Sequence, residues 1–404
     1  MTIQPGMRIL HILPTASAVS GGLMEGVLRA SLSNESMGLS CTIASLDLPD
    51  DPWVKSCPIE VIALGETSYS RHLGGPFRER YGYTRHMVPW LIENTPKYDA
   101  VIVNGLWNYA SFAARKALEV SKVPYFVFPH GMLDPWFRKA YPFKHLVKQL
   151  LWWWSEAALL RNARAVFFTT EDERLLARQT FFPYKVREQV ISYGTEDVPQ
   201  ADPAQAEAFD AIAPMLRGRR FLLFLGRIHE KKGCDLLLQA FAKVAETMPD
   251  TDIVIAGPDQ VGLRQSLEDM ATQLGIGERI HWLGMVEGAA KWGAYRACEA
   301  FILPSHQENF GIAVAEALAC GRPVLISNKI NIWREVERDG AGLVASDDVD
   351  GTASLIRRFI ALSPAARDHM ARAARACFEN HFDVKNTSKT ITTAIDRALR
   401  ELAA

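Results

Sequence analysis

Short apolar runs alternate along the chain with longer segments whose apolar residues recur every three or four positions. The runs are apolar at almost every position, as expected of strands covered on both faces in a parallel sheet. Ten of them predict strands: MRILHIL, CTIASL, YDAVIVNG, PYFVFPHG, ARAVFFTT, RFLLFLGR, TDIVIAGP, IHWLG, EAFILPS and RPVLISN. Helical stretches such as GCDLLLQAFAKVAETMP separate them. The alternation predicts an α/β fold with parallel sheets, flanking helices and right-handed crossovers.

The alternation pauses near residues 195 to 218, where alanine, proline and acidic residues are frequent, and then restarts. We therefore predict two Rossmann-like domains, residues 1–198 and 215–384. Open parallel sheets bind ligands beyond the carboxyl ends of their strands. Two such sheets facing each other would form an interdomain cleft, a common place for ligand sites. Whether the last helix, residues 385–404, folds back onto the first domain is left open.

Composition narrows the class of protein. A chain of 404 residues is too long for one ordinary core. The net charge of −1 argues against nucleic acid as the main partner, which usually leaves a basic footprint. The six cysteines never form a C-x-x-C pair, which excludes the usual zinc spacings and a disulfide framework. The amino-terminal apolar run is broken by Pro14, as in a first strand rather than a signal peptide, so we expect a cytosolic protein.

Two loops after predicted strands are suited to anions. Gly21 and Gly22 open a helix, where backbone N–H groups and the helix dipole favour negative charge, although simple turn chemistry also explains them. Arg227 and Lys232 bracket the loop after RFLLFLGR. Two cations at the end of a strand suit a phosphate, because arginine offers a planar fork and lysine a point charge. A solvated charged loop is the alternative.

The segment HQENFGIAVAEALACG places two carboxylates, Glu308 and Glu316, at the ends of an otherwise apolar run. It predicts a loop followed by a helix, with Glu308 in the loop and Glu316 inside the helix. Phe310, Gly311 and Ile312 would present backbone N–H groups at the helix start. A structural explanation is a cap at Glu308 and a cation beside Glu316. It fits Glu316 less well, because an unpaired buried carboxylate is costly.

These residues resemble the retaining glycosyltransferases of family 4, which have the two-domain GT-B fold. The motifs are ENFGIAVAE with ALACGRPVL, GRIHEKKG, the glycine pair and FPHGMLDPW, and the resemblance covers nearly the whole chain. It implies a hexosyltransferase that takes its sugar from a nucleoside diphosphate, a UDP- or GDP-sugar, and retains the anomeric configuration. It also implies that Glu308 contacts the donor hexose, that Glu316 contacts the ribose, and that Arg227 and Lys232 grip the diphosphate.

The resemblance implies further donor contacts. Main-chain amides at Phe310, Gly311 and Ile312 would hold phosphate or hexose hydroxyls, and Met285 and Val286 in HWLGMVEG would lie near the base. His130, which ends an apolar strand in FPHGMLDPW, would lie across the cleft and position the donor or acceptor.

No cofactor is expected. Asp348 and Asp350 form a D-x-D sequence, the metal signature of a different glycosyltransferase fold, but they directly precede a predicted helix. Capping and complementarity to the helix dipole explain them. The histidines show no ligand spacing, so we predict catalysis without an essential metal.

The acceptor side of the sequence leaves alternatives open. In KHLVKQLLWWWSEAALLRNAR, helical periodicity places Trp153 and Trp154 on a broad apolar face, expected to be core. Trp152 projects oppositely with His145 and Lys148. An aromatic residue among basic ones suits a membrane surface or a lipid-linked acceptor. The alternative is a tryptophan covered by the first domain.

Arg71 lies in SYSRHLGGPFRERYGYTRH, which is either an acceptor-binding loop or an irregular surface connection. The HGMLDPW motif resembles enzymes of bacterial exopolysaccharide and O-antigen synthesis. It implies a glycan or lipid-linked saccharide acceptor, in the cytoplasm or peripherally on the inner face of the membrane. Two alternatives to transfer are a non-hydrolysing sugar-nucleotide 2-epimerase and a catalytically inactive sugar-nucleotide-binding subunit.

Overall fold

The computed structural model describes residues 6–17, 22–66, 81–136, 138, 141–191 and 193–403. The chain divides into two units. One comprises Met1–Gly194 together with Val384–Ala404, and the other comprises Thr195–Asp383. Among the described residues, no helix is both long enough and apolar enough to cross a membrane.

The first unit is built on a seven-stranded parallel sheet with the strand order β3-β2-β1-β4-β5-β6-β7. Its strands are β1 (Arg8–Ile12), β2 (Ser40–Ser45), β3 (Glu60–Ala63), β4 (Ala100–Asn104), β5 (Tyr125–Phe128), β6 (Ala165–Phe168) and β7 (Glu188–Val190). The central strands β4, β5 and β6 are buried along their whole length. Because all strands run in parallel, the residues that follow β1, β4 and β5 meet at one edge of the sheet.

Helices cover this sheet and connect its strands. They are α1 (Gly22–Ser36), α2 (Pro52–Lys55), α3 (Met87–Asn94), α4 (Tyr109–Ser121), α5 (Pro142–Leu151), α6 (Ala157–Asn162), α7 (Glu171–Ala177) and the last helix of the chain, Val384–Ala403. A π-helical turn, Trp152–Glu156, joins α5 to α6. The last helix packs against α1, where the Ser388 hydroxyl donates to the carbonyl of Ala30. The open question of where this helix lies is thereby answered: it belongs to the first unit.

The second unit is a six-stranded parallel sheet with the order β10-β9-β8-β11-β12-β13. Its strands are β8 (Arg220–Leu225), β9 (Thr251–Ala256), β10 (Ile280–Gly284), β11 (Ala300–Leu303), β12 (Val324–Ser327) and β13 (Gly342–Ala345). Its α-helices are α8 (Pro203–Ile212), α9 (Cys234–Ala242), α10 (Arg264–Gln273), α11 (Gly288–Ala297), α12 (Ile312–Ala319), α13 (Trp333–Arg338), α14 (Val349–Ile360) and α15 (Pro364–Cys377). The last helix of the chain is therefore α16.

Short helical turns complete the described structure. The 3₁₀ turns are Thr95–Lys97, Pro214–Leu216, Glu230–Lys232, Ala245–Thr247 and Gly277–Arg279, and a second π turn spans Phe378–Phe382. The two parallel, helix-flanked sheets confirm the predicted α/β fold.

All ten predicted strands are present, and the sequence patterns missed three others. The missed strands, β3, β7 and β13, all lie at sheet edges. Residues of β3 and β7 are partly exposed, and β13 is buried only at its first position. An edge strand is covered less completely than a central one, so its sequence carries a weaker apolar signal.

The segment between the predicted domains is not an isolated linker. Residues 203–212 form α8, which packs against α11 of the second unit. Arg296 of α11 donates from Nε to the Oε1 atom of Gln205 at 2.8 Å. The alanine and proline content that resembled a linker instead forms a helix, with Asp202 capping its amino end and Pro203 in its first turn.

Candidate functional site

In the second unit, the loops that follow β8 and β11 are held together by main-chain contacts. The carbonyl of Lys231 accepts hydrogen bonds from the Ser305 hydroxyl at 2.7 Å and from the His306 amide at 2.8 Å. Gly233 has a left-handed backbone with a φ of 67°, and a Cβ atom there would lie 2.2 Å from the Pro304 carbonyl oxygen. Only glycine allows this close approach, so Gly233 is required for the two loops to meet in this way.

This approach brings Lys232 and Glu308 into a direct ion pair between Nζ and Oε2. Their side chains are only 17% and 22% exposed. The two residues are 76 positions apart in sequence, and each was predicted separately as a ligand contact. The structure therefore places one cation and one carboxylate at the carboxyl ends of two adjacent strands. This pairing can serve a ligand that carries both a phosphate and hydroxyl groups.

Arg227 lies on the same loop but faces the neighbouring strand end. Its Nη1 atom donates to the Oε1 atom of Gln260 at 3.0 Å, and its side chain is exposed. The structure shows no contact between Arg227 and the Lys232–Glu308 pair. Its guanidinium is nevertheless held at the carboxyl edge of the same sheet, where β8 and β9 end.

The loop before α12 is shaped by a second left-handed glycine. Gly311 has a φ of 79° and caps the helix, with its carbonyl accepting from the Val314 amide at 2.9 Å. The side chain of Phe310 is buried edge-on against Phe382, with ring centroids 5.6 Å apart. Phe310 and Gly311 can therefore contribute only main-chain groups. Ile312 begins α12, where backbone N–H groups have no acceptor within the helix.

The Glu308 backbone is fixed as well as its side chain. Its amide donates to the Lys329 carbonyl at 3.0 Å, and its carbonyl accepts from the Asn331 amide at 3.1 Å. Residues that follow β12 thus support the loop that follows β11. The carboxylate of Glu308 is presented by a backbone bonded on both sides, rather than by a mobile loop.

Glu316 lies in α12, is 5% exposed and has two side-chain partners. Its Oε1 atom accepts from Lys291 Nζ at 2.8 Å, and its Oε2 atom accepts from Tyr295 Oη at 3.1 Å. Burial, followed by the charge of Glu316, raises the pKa of Tyr295 well above its ordinary value, so this hydroxyl stays protonated as a donor. The cation that the structural explanation required is therefore present. Burial of Glu316 alone no longer argues for a ligand.

The two residues expected near a base differ in exposure. After β10, the Met285 side chain is 63% exposed, whereas that of Val286 is only 6% exposed. Met285 can offer a flexible, polarizable thioether to a flat ring. Val286 can offer only its main chain to a ligand without rearrangement.

In the first unit, three polar residues form a line across the ends of β1, β4 and β5. Asn104 donates from Nδ2 to Ile102 O at 3.1 Å, which identifies its Oδ1 atom as the acceptor. His130 Nε2 lies 3.1 Å from that oxygen, and His11 Nδ1 lies 3.3 Å from Asn104 Nδ2. His130 therefore carries its proton on Nε2 and keeps Nδ1 as an acceptor.

Burial keeps both of these histidines neutral. It lowers the pKa of His11 to about 4. Burial, with a smaller repulsion from His11, lowers the pKa of His130 to about 3. His130 has a left-handed backbone (φ 51°), and its ring stacks on Phe128 with centroids 4.1 Å apart. Sequence reasoning found His130 but missed His11 and Asn104, although both are polar interruptions of apolar strands.

Several predicted residues cannot be placed at these sites. Gly22 is the first residue of α1. Gly21 and Arg71 lie outside the described residues. Asp348 caps α14 by accepting from the Gly351 amide at 2.7 Å, and Asp350 pairs with Lys243, so the capping interpretation of the D-x-D sequence is confirmed.

The expectation that Trp153 and Trp154 lie in the core is wrong, whereas of the two alternatives for Trp152, the covered tryptophan is confirmed. Trp152 is fully buried, and its indole Nε1 donates to the Pro183 carbonyl at 2.9 Å. Trp153 and Trp154, expected in the core, are exposed. Lys148 faces inward with Trp152, and its ammonium lies 5.0 Å from the Trp107 ring centroid. Periodicity correctly separated the two faces of the helix, but burial of the polar face is made possible by partners that are distant in sequence.

Comparisons with known proteins agree with both halves of the chain. Residues 207–376 match the family model described as glycosyl transferases group 1. Residues 22–194 match the model described as a glycosyl transferase 4-like domain.

Relatives match about half of the chain or less. A D-inositol 3-phosphate glycosyltransferase of Saccharomonospora viridis is 35% identical over 162 residues, which are 38% of this chain and 37% of that protein. A phosphatidyl-myo-inositol mannosyltransferase of Mycolicibacterium smegmatis is 33% identical over 211 residues, 50% of this chain and 53% of that protein. The chain thus spans about half or less of the length of these relatives.

Solved structures with a similar fold cover nearly the whole chain. HepE from Anabaena, in complex with UDP and glucose, has a TM-score of 0.69 at 17% identity. A glycosyltransferase from Rickettsia africae has a TM-score of 0.75 at 15% identity. In both cases the match covers 98% of this chain and 99% of the other. At this level of identity, the likeness concerns the fold.

Proposed function

Because the chain belongs to the group 1 glycosyltransferases of family 4 and has the GT-B fold, we propose that it transfers a hexose from a nucleoside-diphosphate sugar. The acceptor is a glycan or a lipid-linked saccharide of bacterial polysaccharide assembly. One observation carries the proposal: the Lys232–Glu308 pair stands at adjacent strand ends, eight residues before the buried Glu316. In this proposal Glu308 and Glu316 accept hydrogen bonds from the hexose and the ribose along one loop–helix element, and Lys232 reaches the phosphate from the adjacent loop after β8.

The donor is a UDP- or GDP-sugar. Lys232 and Arg227 bind its diphosphate, Glu308 accepts hydrogen bonds from the hexose, and Glu316 accepts them from the ribose. Two solved structures of similar fold are complexes of HepE, one with UDP and glucose and one with UDP-glucose, which supports a donor of this class. The pairing of Lys232 with Glu308 adds a condition for donor binding. The donor phosphate must either displace the Glu308 carboxylate from the Lys232 ammonium or share the ammonium with it.

Further donor contacts come from the main chain and the loop after β10. The amides of Phe310, Gly311 and Ile312 bind phosphate or hexose hydroxyls at the start of α12, where the helix dipole favours an anion. Met285 packs its side chain on the base, and Val286 contributes main-chain contacts.

Catalysis rests on stabilising the negative charge that develops on the departing diphosphate. Preorganised cations and backbone dipoles serve this purpose, since they need no reorientation during the reaction. Each charge-assisted hydrogen bond that tightens contributes about 1.5–3 kcal/mol. We infer same-face attack, in which the leaving phosphate takes the proton of the acceptor and the anomeric configuration is retained. No metal or other cofactor is required in this scheme.

His130 positions the sugar and is not a nucleophile. Its neutral ring offers the Nδ1 lone pair to a hydroxyl, while Nε2 is engaged by Asn104. A glycosyl adduct on the protein, trapped during turnover and detected by mass spectrometry, would contradict this mechanism.

We place the reaction in the cytoplasm, with the enzyme peripheral to the inner face of the membrane. One matched relative is named for phosphatidyl-myo-inositol, a lipid, which supports an acceptor of lipid-linked type.

A thermal-shift screen with UDP-, GDP- and ADP-sugars tests the proposal, because a ligand that binds only the folded state raises the unfolding temperature. We expect one nucleotide class to stabilise the protein and Glu308→Ala to weaken discrimination among its sugars. Donor binding without transfer to any supplied acceptor would favour an inactive binding subunit. Epimerisation of a lone sugar nucleotide, followed by NMR, would favour the 2-epimerase. No stabilisation by any nucleotide sugar would contradict the proposal.

A further inference from the structure

Helix α5 and the π turn after it present an apolar face to solvent. Six large apolar side chains on this face, together with that of Phe182 in a neighbouring loop, are between 53% and 86% exposed. We call them the α5 surface: Phe143, Leu146, Val147, Leu150, Trp153, Trp154 and Phe182. At 100° per residue, the four from Phe143 to Leu150 fall on one arc of α5, and Trp153 and Trp154 in the π turn after it are exposed as well. Single exposed apolar residues are normal, but a contiguous set with two tryptophans marks an interaction surface.

Contacts on the opposite face hold the helix in this orientation. The ring of His145 stacks on Phe181 with centroids 4.8 Å apart, and Gln149 Nε2 donates to the Phe182 carbonyl at 2.7 Å. Trp152 is anchored in the core through its bond to Pro183. Turning the apolar arc inward would break all of these contacts. The outward position of the α5 surface is therefore a property of the folded protein.

The sequence that carries the α5 surface is basic. Between Pro135 and Ser155 the sequence contains four basic residues and no acidic residue. They are Arg138, Lys139, Lys144 and Lys148, of which Arg138 and Lys144 are exposed, whereas Lys148 faces inward. Lys144 is exposed at the edge of the apolar arc, and its ammonium lies 4.6 Å from the Tyr141 ring centroid. A long lysine side chain in this place can follow apolar surface while its charge reaches a layer of phosphates.

We propose that the α5 surface docks onto an anionic phospholipid bilayer, with the helix in the plane of the interface. Tryptophans at the headgroup level, an aliphatic stripe beside them and flanking basic side chains are the features of an interfacial helix. Anionic headgroups attract each nearby lysine. A second copy of this chain would fit less well, because protein interfaces are depleted in lysine. The inference deepens the proposed function. It rests on that function in one respect, namely that the membrane presents a lipid-linked acceptor to the enzyme.

Vesicle sedimentation with the full chain tests this proposal. We expect binding to phosphatidylcholine vesicles that contain phosphatidylglycerol, weaker binding to phosphatidylcholine alone, and loss of the difference at high salt. Leu146→Ser/Leu150→Ser should lower the partition constant at least about tenfold, since it removes two side chains that each contribute apolar area to the interface. Lys144→Gln should lower only the preference for anionic vesicles.

Val120→Ser is the matched control. Val120 is an apolar residue of α4 that is as exposed as those of the α5 surface, and its replacement should leave vesicle binding unchanged. Brominated lipids should quench the wild-type fluorescence more than that of Trp153→Phe/Trp154→Phe. Because Leu146, Leu150, Lys144 and Val120 are exposed, their variants should keep the wild-type unfolding temperature. The tryptophan variant also removes the hydrogen bond from Trp153 Nε1 to the Phe182 carbonyl and changes the stacking of Trp154 on Phe112.

Three results would overturn the proposal. The first is that the wild type does not bind anionic vesicles, and the second is that the wild type and Leu146→Ser/Leu150→Ser bind them equally. The third is that the wild type is a dimer, that this variant is a monomer, and that neither binds vesicles. Thermal shifts with nucleotide sugars distinguish failure of the membrane-docking proposal from failure of the proposed glycosyltransferase function. The α5 variants should keep the wild-type shifts, and vesicle binding should persist even if no nucleotide sugar binds.

Discussion

Glu316 should have two separable roles, in the stability of the second unit and in donor binding. Replacement by alanine leaves the Lys291 ammonium and the buried Tyr295 hydroxyl without their carboxylate partner. Breaking such a pair costs about 3–5 kcal/mol, because a charge remains in a poorly solvated place. We therefore expect Glu316→Ala to lower the free energy of unfolding by about this amount, whether or not any ligand is present.

Glu316→Gln separates the two roles. Its amide oxygen can accept from Lys291 and its amide nitrogen can donate to Tyr295, whose hydroxyl can donate to the Ala313 carbonyl 3.2 Å away. The fold should lose only about 1–2 kcal/mol. The ribose, however, loses a charged acceptor worth about 1.5–3 kcal/mol, so the donor dissociation constant should rise by roughly 10- to 150-fold.

Urea unfolding and calorimetric titration with the donor identified by the screen measure these two effects. Lys291→Met is a control, because it disturbs the same pair without removing the carboxylate that we propose binds the ribose. Wild-type unfolding of Glu316→Ala would refute the energetic reasoning. Wild-type affinity of Glu316→Gln would refute the assignment of Glu316 to the ribose.

Three further predictions concern buried groups and backbone. Burial raises the pKa of Glu156 from 4.5 to about 7, so its contribution to stability is lost as the pH rises through that range. Glu156→Gln should raise the free energy of unfolding at pH 8 by up to about 3 kcal/mol but not at pH 4, and an equal effect at both would contradict this. Gly233→Ala should lower the free energy of unfolding in urea by more than about 2 kcal/mol. Gly262 also has a positive φ but open space around it, so Gly262→Ala should lower this free energy by only about 1 kcal/mol. Equal losses in the two variants would refute the close approach at Gly233. The NMR signals of the His130 ring should show a neutral imidazole from pH 5 to 8, and a midpoint near 6.5 would contradict its burial.

Much of the fold follows from local sequence pattern. Central strands such as β4 and β11 are apolar at nearly every position because helices cover both of their faces. The limits of helix α12 could also be predicted, because Gly311 precedes its first residue and Gly321 follows its end. Edge strands such as β7 lack this signal and were missed.

The partners of the site residues could not be predicted. The bond between Lys291 and Glu316 joins two helices, and local pattern says nothing about which helix faces which. The union of Lys232 with Glu308 depends on Gly233 and its approach to a carbonyl on another strand end. Both residues were candidates, but their pairing is a long-range result of the fold.

The α5 surface shows a different limit. Periodicity identifies which residues share a face of a helix, and an apolar face is usually the buried one. Here Trp152 and its polar neighbours face inward because their polar groups find partners such as Pro183 and Ser111. The π turn adds one residue to the helix at the same place and changes the phase of the residues that follow. Single-sequence reasoning has no means to detect either effect.

A structure of the protein with its tightest-binding nucleotide sugar tests the central claim most directly. We predict that the diphosphate lies within hydrogen-bond distance of Lys232 Nζ, that hexose hydroxyls donate to the Glu308 carboxylate, and that ribose hydroxyls donate to Glu316. A nucleotide sugar bound away from the loops that follow β8 and β11, with the Lys232–Glu308 pair untouched, would contradict the account.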